Sequence, residues 1–311
     1  MSAIHLPPAA EVKSIAQSGF GTMGWSWATA ELLAGLDVYV HEPNIGTVAK
    51  NRILVEKNIQ VVEDKGKIPS GFTDKAMERL HFVTPDELVT CGAPMHIEIT
   101  PESLANKIAL LQLLGPRFPE GTVQWTNTSC LNVEKLAIAT GFPEGTVGTH
   151  GMNPVHRMPG VEVVQTELVD AAVLQWTIDV LEKVMGKITF VAQNVPGFIV
   201  NKLGVPFWLE VIRMLVRREA DIATIDKALL TSLGHPQAGF KLMDFIGTGT
   251  MIDVADELYA ATQDPRYIVP QIYREMRKAG FLGFQSGRGF YDWTTNPKNP
   301  HPIPFNQLLA A

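Results

Sequence analysis

The chain has 311 residues, 46% of them hydrophobic, with 26 basic and 32 acidic side chains and a net charge of −6. An acidic chain with no basic stretch carries no footprint for nucleic acid or an anionic membrane surface. That apolar share excludes a disordered chain, and the length corresponds to about two domains. The only cysteines, Cys91 and Cys130, lack disulfide spacing and point to a reducing compartment. No charged and apolar leader pattern opens the chain, and no apolar run spans a bilayer, so a soluble cytoplasmic protein is expected.

Residues 12–18 (VKSIAQS) read as a strand, followed by GFGTMG and by WSWATAELLAG, an amphipathic helical pattern ending at Gly35. Residues 36–42 alternate like a second strand, and the mixed-charge stretch 46–65 reads as a solvated helix. Further strands are expected at 80–84, 94–99 and 122–127, with a helix over 103–115. Two strand-like stretches joined by a Pro-rich loop follow in TVGTHGMNPVHRMPGVEVV. Past residues 188–198 the pattern becomes helical to about residue 280, and the tail TTNPKNPHPIPF reads as extended. The fold class expected is α/β: a Rossmann-like, doubly wound, mostly parallel sheet over 1–193, then an all-helical domain over 194–311.

Gly19, Gly21 and Gly24, with Thr22 and Met23 among them, form G-x-G-x-x-G between a strand and a helix. Such glycines allow a tight turn, close approach of a pyrophosphate and close helix packing, with the phosphates at the helix N-terminus. Glu42 ends the second strand, where a carboxylate accepts ribose hydroxyls of NAD and repels the extra phosphate of NADP. NAD is therefore the expected cofactor. Gln17 and Ser18 are polar for such a strand, while bulky Phe20, Trp25 and Trp27 are expected to crowd the turn and the first helix.

Ligands gather at the carboxyl ends of such strands, which directs Asn127 and Ser129 of TNTSCL toward a nicotinamide. Ser129 also fits a helix N-cap, and Cys130 reads as a small core residue. His150 and Glu162, on the two strand-like stretches, supply a base and an acid where a core strand needs neither. His41, His96 and His235 show no metal spacing, and no metal is expected.

These stretches together resemble the 3-hydroxyacyl-CoA dehydrogenase family. GFGTMG, ESLANK, TNTSCL, GTHGMNPV with VEVV, VPGFIVNKL, MDFIG and GFLGFQSGRGFYDW follow the family's order over residues 12–293. The resemblance implies oxidation of a hydroxyacyl thioester in a cleft between the domains. His150 is then the base, since imidazole titrates near neutrality unaided, and Glu162 fixes its tautomer. Ser129 and Asn201 would hold the substrate oxygens, and Glu102, Lys107, Asn127 and Asn153 would line the cofactor site. A homodimer through the helical domain is likewise implied.

Lys65 falls where relatives set a lysine against coenzyme A phosphates, but Asn58 stands in place of a matching serine. The usually apolar loop after Asn153-Pro154 here carries His156 and Arg157, which would contact a polar or anionic part of the substrate. The SWA tripeptide at 26–28 is shared with dehydrogenases of small hydroxy acids such as carnitine or gulonate, giving a second reading without coenzyme A. Crystallin-like relatives give a third, non-catalytic reading, against which His150, Glu162, Ser129 and Asn201 stand together.

Overall fold

A computed structural model describes residues 4–309. The chain divides into two compact units, one ending at Phe198 and the other starting at Ile199.

The first unit is built on an eight-stranded sheet: β1 (Ser14–Ser18), β2 (Asp37–His41), β3 (Leu80–Phe82), β4 (Met95–Glu98), β5 (Val123–Thr126), β6 (Thr146–Gly151), β7 (Gly160–Gln165) and β8 (Ile188–Gln193). The spatial order is β3-β2-β1-β4-β5-β6-β7-β8, and every pair is parallel except β6 with β7. Helices on both faces bury central strands completely: every residue of β4, β5 and β6 is buried. The order reverses between β1 and β4, which opens a crevice at their carboxyl ends.

Helix α1 (Thr22–Leu33) begins inside the glycine motif. It is not the amphipathic helix its sequence led us to expect, since eight of its residues from Gly24 to Leu32 are buried. Packing against β1, β2 and the next two helices covers most of its surface. Even Glu31 is fully buried with neither carboxylate oxygen partnered, and burial pushes its carboxyl up to about 8. Helix α2 (Ile45–Asp64) keeps its charges in solvent but buries Asn51, Val55 and Ile59. Four further helices, α3 (Phe72–Glu78), α4 (Pro85–Thr90), α5 (Leu104–Leu114) and α6 (Val133–Ala139), precede β6, and α7 (Ala171–Asp179) precedes β8.

The second unit packs α8 (Val200–Val216), α9 (Ile222–Thr231), α10 (Gly239–Ile246), α11 (Thr248–Thr262) and α12 (Gln271–Lys278) around Leu209, Ile212, Phe240, Met243, Tyr273 and Phe290. The MDFIG and GRGFYDW segments meet here. Asp244 accepts hydrogen bonds from Phe290 N, Tyr291 N and Trp293 Nε1 at 2.8–2.9 Å. A side chain at Gly289 would lie 2.0 Å from that carboxylate. Burial still pushes Asp244 up to about 6. The Pro-rich tail departs from the extended reading. It folds back as β10 (His301–Pro302) on β9 (Tyr291–Asp292), burying Ile303, and ends in α13 (Phe305–Leu309).

Candidate active site

The glycine turn at the end of β1 is held by its own strand. Gln17 Nε2 donates to Gly19 O at 2.8 Å and to Gly24 O at 3.1 Å. Gly19 has φ 99°, and a side chain there would strike Ile99 O at 2.5 Å; one at Gly24 would strike Gly19 O at 2.4 Å. A side chain at Gly21, by contrast, would meet nothing within 4 Å. That space opens on a cleft of about 730 Å³ at the switch point, lined by Gly21, Thr22, Met23 and Glu42 on one side and by Glu102, Asn127 and Ser129 on the other.

Gly21 caps α1 without a side-chain bond, so the helix's first N–H groups face no capping oxygen of Gly21 itself. A pyrophosphate fits such a turn through backbone N–H donors and the helix dipole. Glu42 is fixed for its expected task by backbone donors, Phe20 N on Oε2 at 2.9 Å and Asn44 N on Oε1 at 3.0 Å. The open space at Gly21 and the placed carboxylate both fit NAD.

Phe20 and Trp27 do not crowd the turn. Phe20 turns its ring into the core, edge-on to Phe82 at 5.1 Å. Ser18 is polar because His96 bonds it at 2.8 Å, and His96 in turn bonds Gln124. Burial pushes His96 down to about 4 and leaves it neutral. Trp27 is fully buried and donates its indole N–H to Asn127.

On the opposite wall, Lys107 lies behind the cleft, not on its surface. It is fully buried and donates to both Glu98 oxygens at 2.9 Å, to Thr100 O and to Asn127 O. Buried charges need this degree of satisfaction. Lys107 thereby props the strand ends that carry Asn127. Glu102 reaches into the 128–130 turn, accepting from Thr128 Oγ1 at 2.6 Å and Ser129 N at 2.7 Å. The N-cap of α6 is Asn132, not Ser129. Cys130 is half-buried beside Glu102, not a core residue.

The His150–Glu162 pair follows from strand register. The two residues are direct partners across the antiparallel β6–β7 ladder, and Nδ1 lies 2.6 Å from Glu162 Oε2. Glu162 is fully buried and His150 nearly so, with the Phe198 ring 5.9 Å from the imidazole. Asn153 stands exposed on the loop that follows.

His156 and Arg157 both bond protein groups. His156 bonds Ser26 Oγ through Nδ1 at 3.2 Å and Asn58 Oδ1 through Nε2 at 3.1 Å. Arg157 is exposed but also donates to Asn58 Oδ1 at 3.1 Å. Burial, then the charges of Arg157 and Lys187, pushes His156 down to about 4. Lys65 is exposed just past α2. Asn201 lies in the first turn of α8, in the second unit.

Sequence reasoning missed the supports: Gln17, Ser26, Asn58 and Lys187, the last bonding Val155 O and Met158 O. Gln17 stood out by its polarity, Asn58 by replacing a serine and Ser26 within the SWA tripeptide, but none of them signalled its partner. Among the described residues no group of three or more His, Cys, Asp or Glu could hold a metal, and no helix is long and apolar enough to cross a membrane.

Two family descriptions match the chain: "3-hydroxyacyl-CoA dehydrogenase, NAD binding domain" over residues 14–195 and the C-terminal domain of the same family over 197–293. A 3-hydroxybutyryl-CoA dehydrogenase of Mycobacterium tuberculosis is 32% identical over 283 residues, covering 91% of this chain and 99% of that protein. The crystal structure of M. tuberculosis FadB2 superposes with a TM-score of 0.86 at 31% identity, over 91% of this chain and 99% of that one. The (S)-3-hydroxybutyryl-CoA dehydrogenase PaaH1 of Ralstonia eutropha gives 0.82 at 28% identity, over 90% and 98%. The glycine turn, the switch-point cleft and these matches over nearly the whole chain agree: the protein belongs to the 3-hydroxyacyl-CoA dehydrogenase family of NAD-dependent oxidoreductases.

Proposed function

We propose that the protein interconverts a 3-hydroxyacyl-CoA and the 3-oxoacyl-CoA, with His150 as acid and base. The single observation that carries this is the 2.6 Å bond between buried Glu162 and His150 Nδ1. A carboxylate in that place fixes one tautomer, with the proton on Nδ1 and the Nε2 lone pair free to accept a proton. NAD held there would supply the hydride acceptor for the carbon bearing the hydroxyl. His150 accepts the hydroxyl proton at Nε2, and Glu162 offsets the charge of the resulting imidazolium. Ser129 holds a substrate oxygen, while Glu42, Gly21 and the start of α1 would hold the dinucleotide. In the reducing direction the same proton returns to the substrate oxygen.

A second reading has an observation of its own. Asn58, where relatives offer a serine toward coenzyme A, is already engaged by His156 and Arg157. That favours a small hydroxy acid without coenzyme A. NADH oxidation with acetoacetyl-CoA and with free acetoacetate, run in parallel, decides between them. Turnover of the thioester alone is expected; turnover of the free acid alone would replace the first reading by the second. We place the protein in the cytoplasm, in fatty-acid metabolism, as a homodimer, and sedimentation at micromolar concentration tests the assembly.

A further inference from the structure

Two adjacent residues of α1, Ser26 and Trp27, are completely buried and hydrogen-bonded to distant segments. The Trp27 indole N–H donates to Asn127 Oδ1 at 3.0 Å, and the same oxygen accepts Gly151 N–H at 3.2 Å. Gly151 directly follows His150. The edge of the Trp27 ring fills the space beside it, since a side chain at Gly151 would come within 2.8 Å of Trp27 Cζ2. Ser26 Oγ accepts Val155 N–H at 2.6 Å. Its one proton is then left for His156 Nδ1 at 3.2 Å, and His156 donates from Nε2 to Asn58 Oδ1. This proton order agrees with the neutral state that burial imposes on His156.

We propose that Ser26 and Trp27 are positioning residues that fasten the segment after His150, and Asn127 beside it, to the helix that begins at the dinucleotide turn. Thr22, the first residue of α1, lies about 7 Å of helix rise from Trp27, less than two turns. The grip of α1 on a pyrophosphate and the placement of Gly151 are therefore parts of one rigid element. The bond requires tryptophan specifically, because phenylalanine fills similar space but has no N–H.

This inference rests on the reading of His150 as the base, and the two fail differently. The assay uses whichever of acetoacetyl-CoA and free acetoacetate the unmodified protein turns over. His150→Gln retaining turnover would remove the base reading. Trp27→Phe is expected to lower kcat about ten-fold, with NADH affinity changed less than about three-fold, on the scale of one buried hydrogen bond. In an Asn127→Ser background the same change should cost less than about two-fold, because its partner is already gone.

An additive effect in that background, or a Trp27→Phe kcat within about two-fold of the unmodified protein, overturns the proposal. Should Trp27→Phe not fold, Ser26→Ala decides alone. A kcat fall of about two-fold or more at constant NADH affinity supports the proposal, and a smaller fall overturns it.

Discussion

Six positions separate His150 from His156, and their hydrogen-bond partners differ in kind. His150 has a buried carboxylate on one nitrogen. His156 has only a hydroxyl and an amide oxygen on its nitrogens, with two cations nearby, surroundings that keep the ring neutral. In the proposed reaction His150 takes up the proton, whereas His156 cross-links a loop. A histidine's role is set by the charge and hydrogen-bonding capacity of its partners, not by its nearness to a motif.

The sharpest way to break this comparison is His150→Gln, which should lower turnover about 100-fold or more with NADH binding intact. Turnover surviving that change would end the base assignment. Glu162→Gln keeps the shape of the partner and removes its charge, so a fall in kcat of about ten-fold or more is expected, with thermal melting as the control for folding. If kcat is unaltered, the carboxylate is structural. Glu42→Ala should weaken NADH binding about ten-fold by titration while leaving His150 chemistry intact at saturating cofactor.

His156→Gln should be the mildest for turnover, within about three-fold at saturating substrates. Its effect belongs to stability. The imidazole is held down to about 4 in the folded protein, below the ordinary value of 6.5, so the unfolded chain binds the proton more readily. The contribution of neutral His156 is thus complete above about 6.5 and is lost as pH falls through that value toward 4. Melting curves for His156→Gln should therefore decline less between pH 7 and pH 5 than those of the unmodified protein. Parallel curves would show that His156 is not held neutral.

The glycine turn, the strand–helix alternation and the placing of His150 and Glu162 on two strands were legible in the sequence, because each depends on residue type or local spacing. What joins them was not. The Trp27–Asn127 bond spans 100 positions and the Ser26–His156 bond 130. Nothing in a short window marks a tryptophan as a hydrogen-bond donor to a particular asparagine. Lys107 was read as lining the cofactor site through the family resemblance, and its burial against Glu98 became visible only with β4 and α5 in place. Phe20 and Trp27 read as obstacles because bulk is visible in a sequence, but direction is not. The tail misled through its prolines, since a β-pair of two residues leaves no periodicity to detect.

His150 and Glu162 meet through the ladder between β6 and β7, not through the loop that connects them. The ladder fixes their registration whatever the loop's length, provided the strands keep phase. Descendants of this chain can therefore gain or lose residues at the exposed stretch around Met158 and Pro159 without separating the pair. A single-residue slip inside either strand would carry one member to the opposite face of the sheet. The hairpin thus divides the segment into an interior intolerant of insertion and a tip where a change of length leaves the pairing of the two strands in register.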